Sequence, residues 1–385
     1  MISTKFSMVC RLAGTAAVLI GMAMAAPAWS VPMDRTLYVT DSSNGNILAV
    51  DPDGSVSILV SEAAIIAATG FTEARFTDNG LFFDQPSGDL FFTDSESDSV
   101  LKRAADGTVT VVSTQAQLEA GAGEFSAPEH ILLHDGSLYV TDGSADALLK
   151  VNPTTCVASL FTAETTFEAA AGITGDVDIE SGIAISADGS TIFVASDDTP
   201  NAVFSVSVAT GTPTVLATDS AFGDLDVFLT LAPNGDVIVA DDSGASGDEI
   251  FRVTPGGVVT VFLDAATLAA VAGESTDLEG GIAFDEFGNF YLAEENSDAI
   301  LRWDVLSLAD GTIDTASGSV FLSEADVVAA GFGGDAIGVD YEGGIAFGTI
   351  FVEPPTGVPE PATLALFGAG LLGLGLVRRR RKAAA

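Results

Sequence analysis

Residues 281–303 read GIAFDEFGNFYLAEENSDAILRW. Three apolar runs of strand length, IAF, FYLA and AILRW, are separated by short segments rich in Gly, Asn, Asp and Ser, the residues that turn a chain back on itself. Strands joined by such short turns pair antiparallel. The same lettering recurs upstream. LYVTD (37–41), LFFTD (90–94), LYVTD (138–142), IFVAS (192–196), VIVAD (237–241) and FYLAE (290–294) follow one another at intervals of 45 to 54 residues. Shortly after each comes ILAV (47–50), VLKR (100–103), LLKV (148–151), VFSV (203–206), IFRV (250–253) or ILRW (300–303). A further strand follows an Asp-Gly or Gly-Gly signal, as in SVSILV, TVTVV and VVTVFL, and one strand precedes each unit, as in GIAISADGSTIFVA (182–195).

Four short antiparallel strands in about 50 residues is the arithmetic of one propeller blade. Six units predict an all-β chain, a six-bladed β-propeller; a β-helix or a sandwich would have shorter coils or less faithful repeats. The first unit has too little chain ahead of Leu37 for its innermost strand. GGIAF (343–347) supplies a spare copy, so the C-terminal strand is expected to complete the first blade and close the ring; GTIFVE (348–353) offers a partial seventh blade as the rival.

Most connections between units carry a helical signal. Ser61–Gly70, Ser113–Gly121, Thr162–Gly172, Asp264–Gly273 and Ser323–Gly331 each open on a side chain able to cap free N–H groups and close on a glycine suited to a left-handed helix end. The connection after the fourth unit, TVLATDSAFGDL, is too short for one. These helices are expected to rim the face that also carries the loops after the LYVTD-like strands. Their Ala-rich character reads mainly as packing.

The chain resembles, over residues 37–352, the NHL and gluconolactonase-like six-bladed group, with GIAFDEFGNFYLAEENSDAILRW the part most like an NHL repeat. That resemblance implies a divalent ion at one mouth of the central channel, held by an acid or amide just before the first-strand glycine. Here that position holds Asn79, Glu129, Ser181, Val227, Gly280 and Gly343, so this chain departs from the pattern.

The ends of the chain are different in kind. Lys5 and Arg11 precede an apolar stretch from Leu12 to about Ala26, broken by Pro27 and followed by small residues near Ala28 and Ser30, so residues 1–30 read as a secretory signal. Residues 31–353 are the expected propeller and 354–385 a tail. From Val358 the tail runs VPEPATLALFGAGLLGLGLVRRRRKAAA: a Pro-Glu-Pro turn, an apolar segment over 362–377 long enough for a short transmembrane helix, and a cationic block that halts export. It resembles the PEP-CTERM sorting signal through Pro359, Glu360, Pro361, Arg378, Arg379, Arg380 and Arg381 in order. The resemblance implies an exosortase as partner, in a Gram-negative bacterium making exopolysaccharide, with transient inner-membrane anchoring before processing; a plain tail anchor is the simpler alternative. With Cys10 in the signal, Cys156 stands alone and no internal disulfide is expected.

The 54 acidic and 14 basic residues give a net charge of −40. Such a surface repels nucleic acid and anionic membranes and draws in cations, so membrane contact is expected only through the tail. The acids are also patterned. An Asp-apolar-acid triplet precedes the innermost strand at Asp178-Ile179-Glu180, Asp224-Leu225-Asp226, Asp277-Leu278-Glu279 and Asp340-Tyr341-Glu342; the second unit keeps Asp78 and the third Glu129. Asp78, Glu129, Glu180, Asp226, Glu279 and Glu342 are therefore expected around one channel mouth, with the loop acids Asp41, Asp94, Asp142, Asp197, Asp198, Asp241, Asp242, Glu294 and Glu295 on the same face. Converging carboxylates without soft donors point to a hard cation, Ca²⁺ first; diffuse counterions or turn-capping acids are the alternative.

Catalysis has a thinner basis. Of two histidines, His130 begins an innermost strand, and in lactone-acting propellers a histidine near the channel calcium serves as general base. The alternatives are a packed channel residue for His130 and a solvated turn residue for His134. Lys102, Lys150, Arg252 and Arg302 recur at one strand position and read as partners of surface acids. Two functions stand: a non-catalytic, calcium-binding surface module whose partner is polysaccharide or another surface protein, and a calcium-dependent hydrolase or lyase acting on a lactone or sugar acid.

Overall fold

A computed structural model describes residues 36–173, 177–197, 201–225, 228–242, 247–332 and 339–347. Six four-stranded antiparallel sheets account for the repeats. In five of them the strands run in sequence order from the channel outward; in the first, Ile345–Phe347 takes the innermost place and pairs with Leu37–Asp41, Leu37 opposite Phe347. The ring is thus the expected six-bladed β-propeller, fastened by its C-terminal strand. The rival strand over 348–353 lies outside the described residues, as do the expected signal, the tail with Pro359, Glu360, Pro361 and Arg378 to Arg381, and Asp226. Among the described residues no helix is long and apolar enough to cross a membrane.

The apolarity of the second strands follows from their place. A strand inside a stack of blades packs a sheet on each face, so both alternating sets of side chains must be apolar. Leu37–Asp41 and Phe290–Glu294 are buried at every position, whereas the outermost strand Val56–Val60 is buried at one. One inter-blade cluster joins Ile238, Ala240 and Ile250 of the fifth blade to Leu292, Leu301 and Trp303 of the sixth; the next joins Tyr291 and Ile300 to Leu37, Val39 and Leu48 of the first. Each such side chain contributes about 1.5–3 kcal/mol on burial. In every blade the third and fourth strands slip register at the same place, for example between Ile47 and Leu48 and between Ile300 and Leu301. Such a bulge twists the exposed edge away from further pairing.

Five helices fill the expected connections: α1 (Glu62–Thr69), α2 (Gln115–Ala122), α3 (Glu164–Ala171), α4 (Ala265–Ala272) and α5 (Glu324–Ala329). Each is pinned by one buried apolar residue, Ile65, Leu118, Phe167, Leu268 and Val327 in turn. Ser61, Asp264 and Ser323 cap as expected. Boundaries of three helices differ, α5 having its C-cap at Ala330, one residue before Gly331. α2 starts after Thr114, which forms a capping box with Gln117, and ends at Gly123; α3 starts after Ala163, which has no capping side chain. Sequence reading passed over one feature, a hairpin of Val305–Ser307 and Thr312–Ile313 inserted in the sixth blade. It reaches the fifth, where Asn234 Nδ2 and an Arg252 guanidinium N–H both donate to the Asp310 carbonyl.

Candidate metal centre

In five blades the second strand ends in an acid, and in four of these the acid is committed to the backbone of the connection. Asp94 accepts the Arg75 N–H at 2.9 Å, Asp142 the Ala127 N–H at 3.0 Å, Asp241 those of Gly223 and Asp224 at 2.8 and 3.1 Å, and Glu294 that of Asp277 at 2.9 Å. Asp41 instead accepts from Asn44. The next residue donates back to the same connection: Ser42 to the Asp340 carbonyl, Gly143 to Ala127, Asp242 to Asp224. These buried acids are clamps that hold the inter-blade connection over the innermost strand. Asp41, Asp94, Asp142, Asp241 and Glu294 thus fit the alternative of hydrogen-bonded loop acids that cap turns.

The clamped connection orients the triplet. Its apolar middle residue is driven into the core, Ile179, Leu225, Leu278 and Tyr341 all being fully buried. The flanking acids Asp178, Glu180, Asp224, Asp277, Glu279, Asp340 and Glu342 are half-buried and left towards the channel mouth. Glu279, Glu295 and Glu342 each bring a carboxylate oxygen within 4.8 Å of the others, and so do Asp242, Asp277 and Glu279. Glu279 belongs to both groups. Thr77 Oγ1 donates to Glu342 at 3.2 Å. Asp78 is an inserted residue in the left-handed region (φ 55°) that donates its N–H to the Glu342 carbonyl. Glu129 and Glu180 meet beside Gly143, where a Cβ would overlap Glu129 Oε1.

Crowding like charges in a partly dry mouth favours protonation. Burial pushes Asp78 up to about 6, with Glu279 and Glu342 adding to it. Burial, then Asp242 and Glu279, takes Asp277 to about 7. Burial, then Glu279, takes Glu295 to about 9. Glu129 is held well above the carboxylate range by burial and by Glu180 and Asp78. Glu129 Oε2, Asp178 Oδ1, Asp277 Oδ1, Glu295 Oε2 and Asp340 Oδ1 are buried without a hydrogen-bond partner. An all-oxygen donor set with orphaned buried oxygens fits a hard divalent cation. Of the expected ligands, Glu279 and Glu342 stand together, Asp78 lies beside them, and Glu129 with Glu180 forms a neighbouring pair. Asp242, Asp277 and Glu295 join them, of which the sequence pattern marked the face but not the convergence.

His130 is elsewhere. Its ring is buried and lies edge-to-face on Phe228, with centroids 4.5 Å apart and planes at 86°. Burial pushes its pKa down to about 3. The neutral ring sits below the acids in the channel wall, a poor base at neutral pH. His134 contacts Asp135 at 3.6 Å on the opposite face. Lys102 and Arg302 pair with Asp89 and Asp304, and Arg252 with Asp236. Lys150 instead lies over the Tyr139 ring, 5.1 Å from its centroid.

Fold and mouth together define a six-bladed β-propeller with an acid-lined channel mouth. The chain belongs to the SMP-30/Gluconolactonase/LRE-like family, whose pattern matches residues 26–264, and residues 357–381 match the PEP-CTERM protein-sorting motif. Among solved structures it is similar to a chain of the nidogen/laminin complex, with TM-score 0.57 and 13% identity over 82% of this chain and 98% of that one. A gluconolactonase from Xanthomonas campestris matches with TM-score 0.48 and 13% identity over 68% and 80%. Regucalcin, a calcium-binding protein from Agrobacterium tumefaciens, matches with TM-score 0.42 and 16% identity over 61% and 72%. None of the curated proteins matches this chain in sequence.

Proposed function

We propose that this chain is an exported surface protein whose propeller binds Ca²⁺ at the acid-lined mouth and uses that face to engage a polysaccharide or another surface protein. An exosortase processes its tail after transient anchoring in the inner membrane of a Gram-negative bacterium. The observation that carries the ion is Glu279, shared by two groups of converging carboxylates. A cation there removes the repulsion that otherwise drives the acids towards protonation. The sorting motif supports the export route. The last described strand ends at Phe347, opposite Leu37 and so on the face away from Asp41 and the acids.

The position of His130 favours binding over hydrolysis, because a neutral imidazole packed on Phe228 is not placed among the carboxylates. Calorimetric titration of the mature protein with CaCl₂ tests the ion: saturable binding that Glu279→Gln weakens at least tenfold is expected, and heat no greater than for buffer sinks the reading. For the tail, replacing Pro359, Glu360 and Pro361 by alanine is expected to leave the chain in the inner membrane. Unchanged release from cells carrying that variant refutes the sorting step.

A further inference from the structure

The half of the channel away from the acids is a cavity of about 500 Å³ lined by the innermost strands of all six blades. Phe82, Leu133, Ile183, Ile185, Leu231 and Phe347 give it an apolar wall, and none of the mouth acids reaches it. Its floor has a specific origin. Where the innermost strands crowd together, four blades carry Gly80, Gly182, Gly281 and Gly344. A Cβ at Gly80 would lie 2.6 Å from His130 Cα, and one at Gly281 would lie 2.6 Å from the Ile345 nitrogen. The other two blades place His130 and Phe228 at this level, and their rings meet. The pair divides the channel into an acidic mouth and an apolar funnel.

The funnel has the size of a small-molecule site, and its make-up, apolar walls with few polar groups, is that of one. His130 lines it and has a buried Nε2 without a hydrogen-bond partner. An imidazole nitrogen donates or accepts according to whether it carries a proton, and a hydroxyl can match it in either sense. No Lys or Arg lines the cavity, its rim carries Asp188 and a His134 that faces Asp135, and the whole chain is strongly negative, so an anionic head group is disfavoured. We propose that the funnel binds an uncharged, mainly apolar alcohol, with His130 at its floor as the polar determinant. This site is separate from the calcium mouth and does not depend on it.

Fluorescence titration of the mature protein with 2-naphthol, which is uncharged at neutral pH, tests this directly, with naphthalene and 2-naphthoate as comparisons. One saturable site for 2-naphthol is expected, with both comparisons at least fivefold weaker. Filling the funnel from either of two blades, by Ile183→Trp or Leu231→Trp, is expected to weaken 2-naphthol binding at least tenfold; two positions are used in case one variant does not fold. His130→Phe keeps a ring on the floor but removes the hydrogen bond, so the preference for 2-naphthol over naphthalene should fall roughly five- to tenfold. Absence of saturable binding overturns the proposal. So does equal binding of 2-naphthoate, binding indifferent to the tryptophans, or a preference that survives His130→Phe. Chelation of calcium should leave the titration unchanged; loss of binding in a still-folded protein would place the ligand at the mouth and overturn it too.

Discussion

The Gly281 N–H donates to the Gly343 carbonyl at 3.0 Å, joining the start of the sixth blade's innermost strand to the start of the strand that completes the first. The ring therefore closes through backbone at a point where no side chain fits. An alanine at 281 would bring a Cβ to 2.6 Å from the Ile345 nitrogen. Gly281→Ala is expected to cost about 1–3 kcal/mol by overpacking. Gly256→Ala, where the nearest atom to an added Cβ lies 3.8 Å away, should change stability by only about 0.5 kcal/mol or less. Urea unfolding of both variants checks the difference; equal losses would mean the closure is not tightly packed.

Calcium should stabilise the fold by an amount that grows with the logarithm of its free concentration above Kd. At a hundredfold excess over Kd the gain is about 2.7 kcal/mol, or roughly 4 °C in a domain of this size. Melting curves with CaCl₂ and with chelator measure it. Glu279→Gln should abolish most of the gain, whereas Glu73→Gln, in an exposed pair with Arg75, should leave it intact.

The pH dependence of the metal-free protein has a definite sign. Asp178 and Asp277 titrate near 7 in the fold against an ordinary 3.8, and Glu295 near 9 against 4.5. The folded state thus binds more protons than the unfolded one between those values, so stability falls as pH rises through them. The contribution of these groups is fully present below about pH 4 and is lost progressively from there to about pH 9. In chelator, the melting temperature should decline from pH 5 to pH 8; with saturating calcium the decline should be much smaller. A chelated protein that grows more stable towards pH 8 contradicts the crowding of these acids.

Removing a carboxylate should act in opposite directions at two acids of one face. Glu295→Gln relieves repulsion from Glu279 and is expected to stabilise the metal-free protein. Asp142 accepts from the Ser126 hydroxyl and the N–H groups of Ala127 and Ala145. Asp142→Ala leaves those buried donors unpaired and should cost about 2–4 kcal/mol. Chemical denaturation in chelator distinguishes the two; a stabilising Asp142→Ala would mean that Asp142 is a repelled acid and not a clamp.

Much of this architecture was legible because its signals are local. An apolar run on both alternating faces marks a strand between two sheets, an Asp-Gly or Gly-Gly marks the turn, and repetition of both at one period counts the blades. GGIAF at 343–347 could be matched to GGIAF at 280–284 by eye. The clamps were harder to see, since Asp94 and Asp142 look like any loop acid until the connection they hold is in place. The inserted hairpin escaped for a similar reason: Leu306 and Leu308 are exposed and leave no alternating buried face to read.

The sequence alone determined the fold class, the strand order within each blade, and the presence of acids before the innermost strands, because each depends on neighbours along the chain. Which acids share a point in space was decided only by the tertiary structure. One extra residue at Asp78 in the second blade, and the irregular pairing between Pro128 and Ile131 in the third, shift carboxylates around the mouth by amounts no repeat pattern carries. Likewise His130 and Phe228 are unremarkable letters in separate blades; the closed ring sets them against each other, since four glycines leave the axis open to only these two rings.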